Sequence, residues 1–125
     1  MHIAHFTNYY LPTVNGVVRS VETFRQALTQ QGHNVFVFAQ SDGDYEDEAP
    51  FIFRYPSLTL PGEIDIPAVI PISPFVDRLL PSLKLNVIHT HHPVLLGQTA
   101  ARKAEELDLP LVFLSTTIRN GHGDN

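Results

Sequence analysis

Residues 2–39 read "HIAHFTNYYLPTVNGVVRSVETFRQALTQQGHNVFVFA", and the order of patterns along this stretch sets the fold. His2 to Phe6 is a short β-compatible run, and "VFVFA" (Val35 to Ala39) is continuously apolar, as in strands covered on both faces. Between them Val17, Val21, Phe24 and Leu28 fall at i, i+4, i+7 and i+11, one stripe of a helix, while Arg19, Glu22, Arg25 and Gln26 point elsewhere. Gly32 supplies the residue that takes a left-handed conformation just past the helix end. Parallel strands need a crossover, and the helix provides one, so the stretch is a right-handed βαβ unit.

The pattern repeats further along. "NVIHT" (Asn86 to Thr90) predicts a strand, Gly97 to Leu107 a helix with Ala100, Ala101, Ala104 and Leu107 inward, and "LVFL" (Leu111 to Leu114) another strand. "FIFRY" (Phe51 to Tyr55) adds one more. The expected fold is α/β, an open, doubly wound, Rossmann-like parallel sheet of about five strands, in which ligands collect outside the carboxyl ends of the strands.

Two segments interrupt the pattern. "SDGDYEDE" (Ser41 to Glu48) is acidic, but a calcium loop wants Gly at its sixth position and Glu at its twelfth, where this chain has Asp47 and Phe53. It reads as a solvated loop. Residues 56–74 carry Pro56, Pro61, Pro67, Pro71 and Pro74 among Leu58, Leu60, Ile64, Ile66, Val69, Ile70 and Ile72. Regular structure is not expected there, and so apolar a loop either lies over the core or faces an apolar partner.

Composition narrows the function classes. A chain of 125 residues suits one core. With 8 Lys+Arg against 13 Asp+Glu, the net charge of −5 argues against nucleic acid as a partner, which needs a broad cationic face. The absence of Cys excludes disulfides and thiolate metal sites and fits a reducing, cytoplasmic setting. "MHIAHFTNYY" lacks a basic region followed by a long apolar one, and no run of about 18 apolar residues occurs, so neither a secretory leader nor a membrane span is expected. Peripheral contact with a membrane stays open.

Two places can carry chemistry. At the first strand-to-helix junction, Gly16 allows close approach of a phosphate to the unpaired N–H groups and positive dipole end of the helix, while Asn15 caps that helix. "TNYYLPTVNG" holds one Gly where a dinucleotide fingerprint needs three, and it lacks the Gly-Lys-Ser/Thr end of a Walker loop. The second place is "HTHHP", His89 to Pro93. Strand alternation puts His89 and His91 on one side and Thr90 and His92 on the other, with Pro93 ending the ladder. A metal pair at His89 and His91 lacks a third ligand at characteristic spacing. Half-buried, hydrogen-bonded histidines, or a neutral imidazole donating to a substrate hydroxyl, are the other readings.

In order and spacing, "YYLPTVNGVVRSVETFRQALTQQGHNVFVFA", "FRYPS" and "NVIHTHHPVLLGQTAARKAEELDLPLVF" closely resemble the N-terminal domain of retaining family 4 glycosyltransferases of GT-B architecture. The likeness is greatest to the bacterial and cyanobacterial members that glycosylate diacylglycerol lipids. It spans residues 1–114, and 115–125 stand apart as an atypical tail expected to be mobile.

The resemblance implies a hexosyltransferase that uses a nucleotide sugar, a UDP-sugar by this likeness, with no metal or further cofactor. Gly16, with Asn15 beside it, would approach the donor diphosphate. His91 would be the catalytic imidazole facing the donor sugar, with His92 as second choice. Tyr9, Tyr10 and the proline-rich loop would serve a lipid or glycosyl acceptor at the inner membrane face, with His89 behind them. The family continues after the fifth strand with a His-Thr element and a second Rossmann-like domain carrying paired Glu residues. "STTIRNGHGDN" matches neither, and Thr116, Thr117 and His122 do not replace the His. The expectation is therefore an acceptor-side half, truncated relative to the family and inactive alone. The competing readings are a non-catalytic α/β module binding a phosphorylated or glycosyl ligand or a partner protein, and a metal-dependent hydrolase using His89 and His91.

Overall fold

The apolar runs at the start of the chain form the middle of a sheet because both of their faces are covered. In the computed structural model, which describes residues 1–41, 45–59, 67–69, 72–92 and 95–113, β1 is buried from Ile3 to Thr7 and β2 from Val35 to Ala39. The elements in chain order are β1 (His2–Thr7), α1 (Gly16–Gln30), β2 (Asn34–Gln40), β3 (Ile52–Tyr55), β4 (Ser57–Thr59), β5 (Pro67–Val69), α2 (Pro74–Leu79), β6 (Val87–Thr90), α3 (Leu96–Glu106) and β7 (Leu111–Phe113), with a 3-10 turn at Leu80–Leu83 after α2. Five strands make one parallel sheet in the order β3-β2-β1-β6-β7. The chain is thus an α/β, Rossmann-like fold.

Alternation along the strands sorts the core into two layers. Ala4, Phe6, Phe36, Phe38 and Ile88 face Val76 and Leu80 of the α2 region and Leu96, Ala100 and Ala104 of α3. Val37 and Ala39 face Val18 and Val21 of α1, with Tyr10 beside them. Helices therefore cover both faces, as the doubly wound reading requires.

The inward arc of α1 is turned from its expected position. Val18 and Val21 are buried, Val17 and Leu28 are half-buried, and Phe24 is 39% exposed with its ring against His5 and His91. The positions i, i+3, i+4 and i+7 of this arc are Val18, Val21, Glu22 and Arg25, so half of it is polar. Glu22 does not point away from the core region; it accepts from the Tyr10 hydroxyl and pairs with Arg25 at 2.8 Å. A hydrophobicity pattern cannot see an arc completed by an ion pair. The helix end follows expectation: Gly32 takes φ +94°, and the N–H groups of Gly32 and His33 bond the carbonyls of Thr29 and Leu28, each at 3.0 Å.

Helix α3 shows the same kind of shift. Leu96, Ala100 and Ala104 are buried, but Ala101 is exposed, and the buried place on the inner stripe goes to Lys103, which bonds Asp77 of α2 at 2.7 Å. Residues 56–74 are not wholly irregular. Leu58 pairs with Ala68 in an antiparallel β4–β5 ribbon, where Pro67 takes the first strand position and its missing N–H costs least, and Ser73 caps the short α2 by accepting from the Val76 N–H at 3.2 Å. Nor is the acidic loop merely solvated: Asp47 is 16% exposed and pairs with Arg54. Leu60, Pro61, Ile64, Ile66, Ile70, Pro71, Asp42, Asp44, Pro93, Leu114, Thr116, Thr117, His122 and the expected tail at 115–125 lie outside the described residues.

Candidate functional site

The sheet topology picks out one rim. From β1 the chain crosses through α1 toward β2, and from β6 it crosses through α3 toward β7, so the connections leave these adjacent strands in opposite directions. A crevice opens at such a switch point, outside the carboxyl ends of both strands. The register pairs Phe6 with Thr90, which sets Thr7 level with His91 and Asn8 level with His92. The loop carrying Asn15 and Gly16 and the segment carrying His91 and His92 thus leave the same rim, as the sequence reading requires.

Side chains from β1 tie these segments together. Thr7 Oγ1 lies 3.3 Å from His92 Nε2 and donates to the Tyr9 carbonyl at 2.7 Å, while the Tyr9 ring meets His92 edge-on at 5.8 Å. Asn8 Oδ1 accepts from the Leu96 N–H at 2.9 Å and so caps α3 from another segment. At Gly97, a Cβ would stand 1.7 Å from the His92 carbonyl oxygen, so the turn from β6 into α3 closes only over a glycine. Leu95, just before α3, is held at φ +58°, a region that disfavours L side chains, and backbone strain of this kind accompanies functional turns.

The start of α1 is built otherwise. Asn15 is extended and its Oδ1 accepts from the Val18 N–H at 2.9 Å, which is the capping role its sequence position implies. Helix geometry leaves the N–H groups of Gly16 and Val17 without intrahelical partners, and Gly16 is exposed. A positive dipole end with orphan donors therefore faces outward at this rim.

Three imidazoles gather on the α1 side of the rim. His5 meets the His89 ring edge-on at 4.8 Å and stacks on the His91 ring at 5.9 Å, confirming that His89 and His91 share a side. Both ring nitrogens of His5 and of His91, and Nδ1 of His89, are buried without a hydrogen-bond partner among the described residues. Burial lowers the His91 pKa to about 4, helped by His92 and His89, and lowers that of His5 to about 3, helped by His89 and His91. Burial also lowers His89 and His92. All four are neutral at pH 7, each able to donate one hydrogen bond and accept another.

His91 is only 5% exposed, with both ring nitrogens covered, whereas His92 is half-buried beside Thr7. Tyr9 is 46% exposed, but Tyr10 is buried with its hydroxyl committed to Glu22, which places it behind the loop. No group of three or more His, Asp or Glu side chains among the described residues converges as an ion would require. His5 and Asn8 escaped the sequence reading. A histidine inside an apolar strand was the available signal for the first; the second depends on register between distant strands.

Residues 14–115 match the sequence profile of Glycosyltransferase Family 4. Among curated proteins, the chain is 31% identical over 122 residues to a GDP-mannose-dependent alpha-mannosyltransferase of Corynebacterium glutamicum, covering 94% of this chain and 29% of that protein. It is 32% identical over 127 residues to an alpha-monoglucosyldiacylglycerol synthase of Streptococcus pneumoniae, covering 90% and 26%, and 30% identical over 117 residues to one of Acholeplasma laidlawii, covering 90% and 29%. The chain therefore spans less than a third of the length of these relatives. Among the described residues, no helix is long and apolar enough to cross a membrane.

Proposed function

The chain belongs to glycosyltransferase family 4, and from that premise we propose that it forms the acceptor-side, N-terminal part of a retaining GT-B enzyme that moves a hexose from a nucleotide sugar to a lipid hydroxyl. The observation that carries the proposal is that an open helix N-terminus and a set of neutral imidazoles belong to the same rim of the sheet, at the β1/β6 switch point. The N–H groups of Gly16 and Val17, with the dipole of α1 behind them, take the charge that builds on the leaving diphosphate. His91, neutral and unpaired, donates to a hydroxyl of the donor sugar, and His92 is the alternative donor. Asn15 acts through the helix it caps, His89 supports His91, and Tyr9 lines the acceptor side. A second α/β domain closes over the donor and supplies cations and orientation. No metal or further cofactor enters the proposal.

The relatives' names include both a GDP-mannose enzyme and diacylglycerol enzymes, so the donor is assigned here only as a nucleoside diphosphate sugar and the acceptor as a glycerolipid at the cytoplasmic membrane face. The test is a titration of the ¹⁵N-labelled chain with UDP-glucose and with GDP-mannose. Saturable shifts of the Gly16 and Val17 amides with one of the two, accompanied by the ring protons of His91 or His92, are expected. Absence of binding to both at millimolar concentration, or shifts confined to other edges of the sheet, would reject the proposal.

A further inference from the structure

The loop that delivers Gly16 to the rim, residues 8–15, contains no regular element, so something else must fix its path. One side chain ties it to the sheet. Arg54, at the third position of β3 and 15% exposed, spreads its guanidinium over three segments of chain. Nη2 donates to the Leu11 carbonyl at 2.7 Å, Nη1 to the Gln40 carbonyl at 2.8 Å, and Nε to Asp47 Oδ2 at 3.0 Å, with Nη2 also on Asp47 Oδ1. Its Cζ lies 5.3 Å from the centroid of the Tyr10 ring and 5.7 Å from that of the Tyr45 ring. The Tyr10 hydroxyl continues to Glu22, and Glu22 to Arg25 on α1. A connected path therefore runs from β3, through the loop, to the second turn of the helix whose N-terminus faces the crevice.

From this geometry we infer that Arg54, with Asp47 as its counter-ion, is a positioning residue that fixes residues 9–15 and so aims the N–H groups of Gly16 and Val17 at the donor diphosphate. The inference rests on the donor-binding reading above for its purpose, but not for its geometry. Arginine is required because the contacts use a planar fork with several donors and two flat faces; lysine offers one point charge that cannot reach two carbonyls and a carboxylate while stacking on two rings. Asp47 holds the fork in plane and neutralises it, so the guanidinium does not compete for the anion at the rim.

The decisive experiment compares the wild-type chain with Arg54→Lys by amide hydrogen exchange and ¹⁵N shifts without ligand. Thr13 N–H, which bonds the Tyr10 carbonyl at 3.1 Å, and Val18 N–H, capped by Asn15, report on the loop; Phe6 and Ile88 report on the sheet. About tenfold faster exchange at Thr13 and Val18, with Gly16 and Val17 shifts displaced and Phe6 and Ile88 unchanged, supports the role. Unchanged Thr13 and Val18, or an equal increase everywhere, overturns it. If Arg54→Lys does not fold, Asp47→Asn, which keeps the fork and removes one charge, is read the same way, with about threefold expected at the loop reporters. A UDP titration of both proteins separates the premises. A wild-type chain that ignores UDP removes the donor reading and leaves the loop result standing. UDP binding that is unaltered in a variant with a loosened loop removes the aiming role.

Discussion

The two helices that begin at the candidate rim start in opposite ways. Helix α1 is capped by Asn15, 3 residues from the amide it serves, and Gly16 beside it is exposed. Helix α3 is capped by Asn8, 88 residues away, and its glycine, Gly97, is filled by the protein's own backbone at His92. Both starts carry a glycine and an asparagine, yet Gly16 is exposed to what lies outside the chain while Gly97 makes room for the chain itself. An open N-terminus can accept an anion; a sealed one holds the crevice in shape. The proposed function accordingly puts ligand contact at α1 and leaves architecture to the turn before α3.

Gly97→Ala is the harshest way to probe that assignment. Its Cβ would meet backbone at 1.7 Å, so the β6–α3 turn must open, and a loss of about 3 kcal/mol or more in urea unfolding is expected. A variant as stable as wild type would mean that the turn is not sealed. Acid should have the next largest effect, and on the β6 side of the crevice. An imidazole in the unfolded chain takes its proton near pH 6.5, while folded His91 and His5 hold out to about 4 and about 3. In that window the unfolded state binds more protons, so stability is complete above pH 6.5 and drains as pH falls, by on the order of a few kcal/mol. His5→Leu should flatten the slope between pH 6.5 and 4 in paired urea melts; an unchanged slope would place the titration elsewhere.

The two caps differ less. Asn8→Ala leaves the Leu96 N–H buried and unpaired and should cost about 1–3 kcal/mol, against about 1 kcal/mol for Asn15→Ala, whose amide can turn to water. Equal losses in thermal melts would erase the distinction between the starts. Gly16→Ala should change stability by under about 0.5 kcal/mol, since the position is exposed, yet weaken nucleotide sugar binding about tenfold in calorimetry. A stable Gly16→Ala chain that binds as wild type would show that α1 does not meet the ligand.

The same contrast explains what could be read from sequence. The α1 start was legible because its cap, glycine and helix are neighbours in the chain, and β1, β2, β3, β6, α3 and β7 were legible from local periodicity. Asn8 was not, because its partner lies beyond any window and depends on β1 pairing with β6. The inner arcs of α1 and α3 were misplaced because Glu22 with Arg25, and Lys103 with Asp77, fill inward positions through pairing rather than apolarity. The β4–β5 ribbon and α2 were missed because prolines argue against regular structure except at first positions, and Pro67 and Pro74 occupy those. At the site, strand phase placed His89 and His91 on one side correctly, while the burial of His91 and the presence of His5 depended on neighbouring strands. Asp47 looked solvated because its partner, Arg54, follows the loop rather than lying within it.

On the proposed function, the exposed start of α1 and the imidazoles at the end of β6 serve one bound diphosphate sugar. A crystal structure of the chain with its nucleotide sugar tests this directly. Diphosphate oxygens are expected within hydrogen-bond distance of the Gly16 and Val17 N–H groups, and the sugar against His91 or His92. A diphosphate seated elsewhere, with both amides turned to solvent, would contradict it.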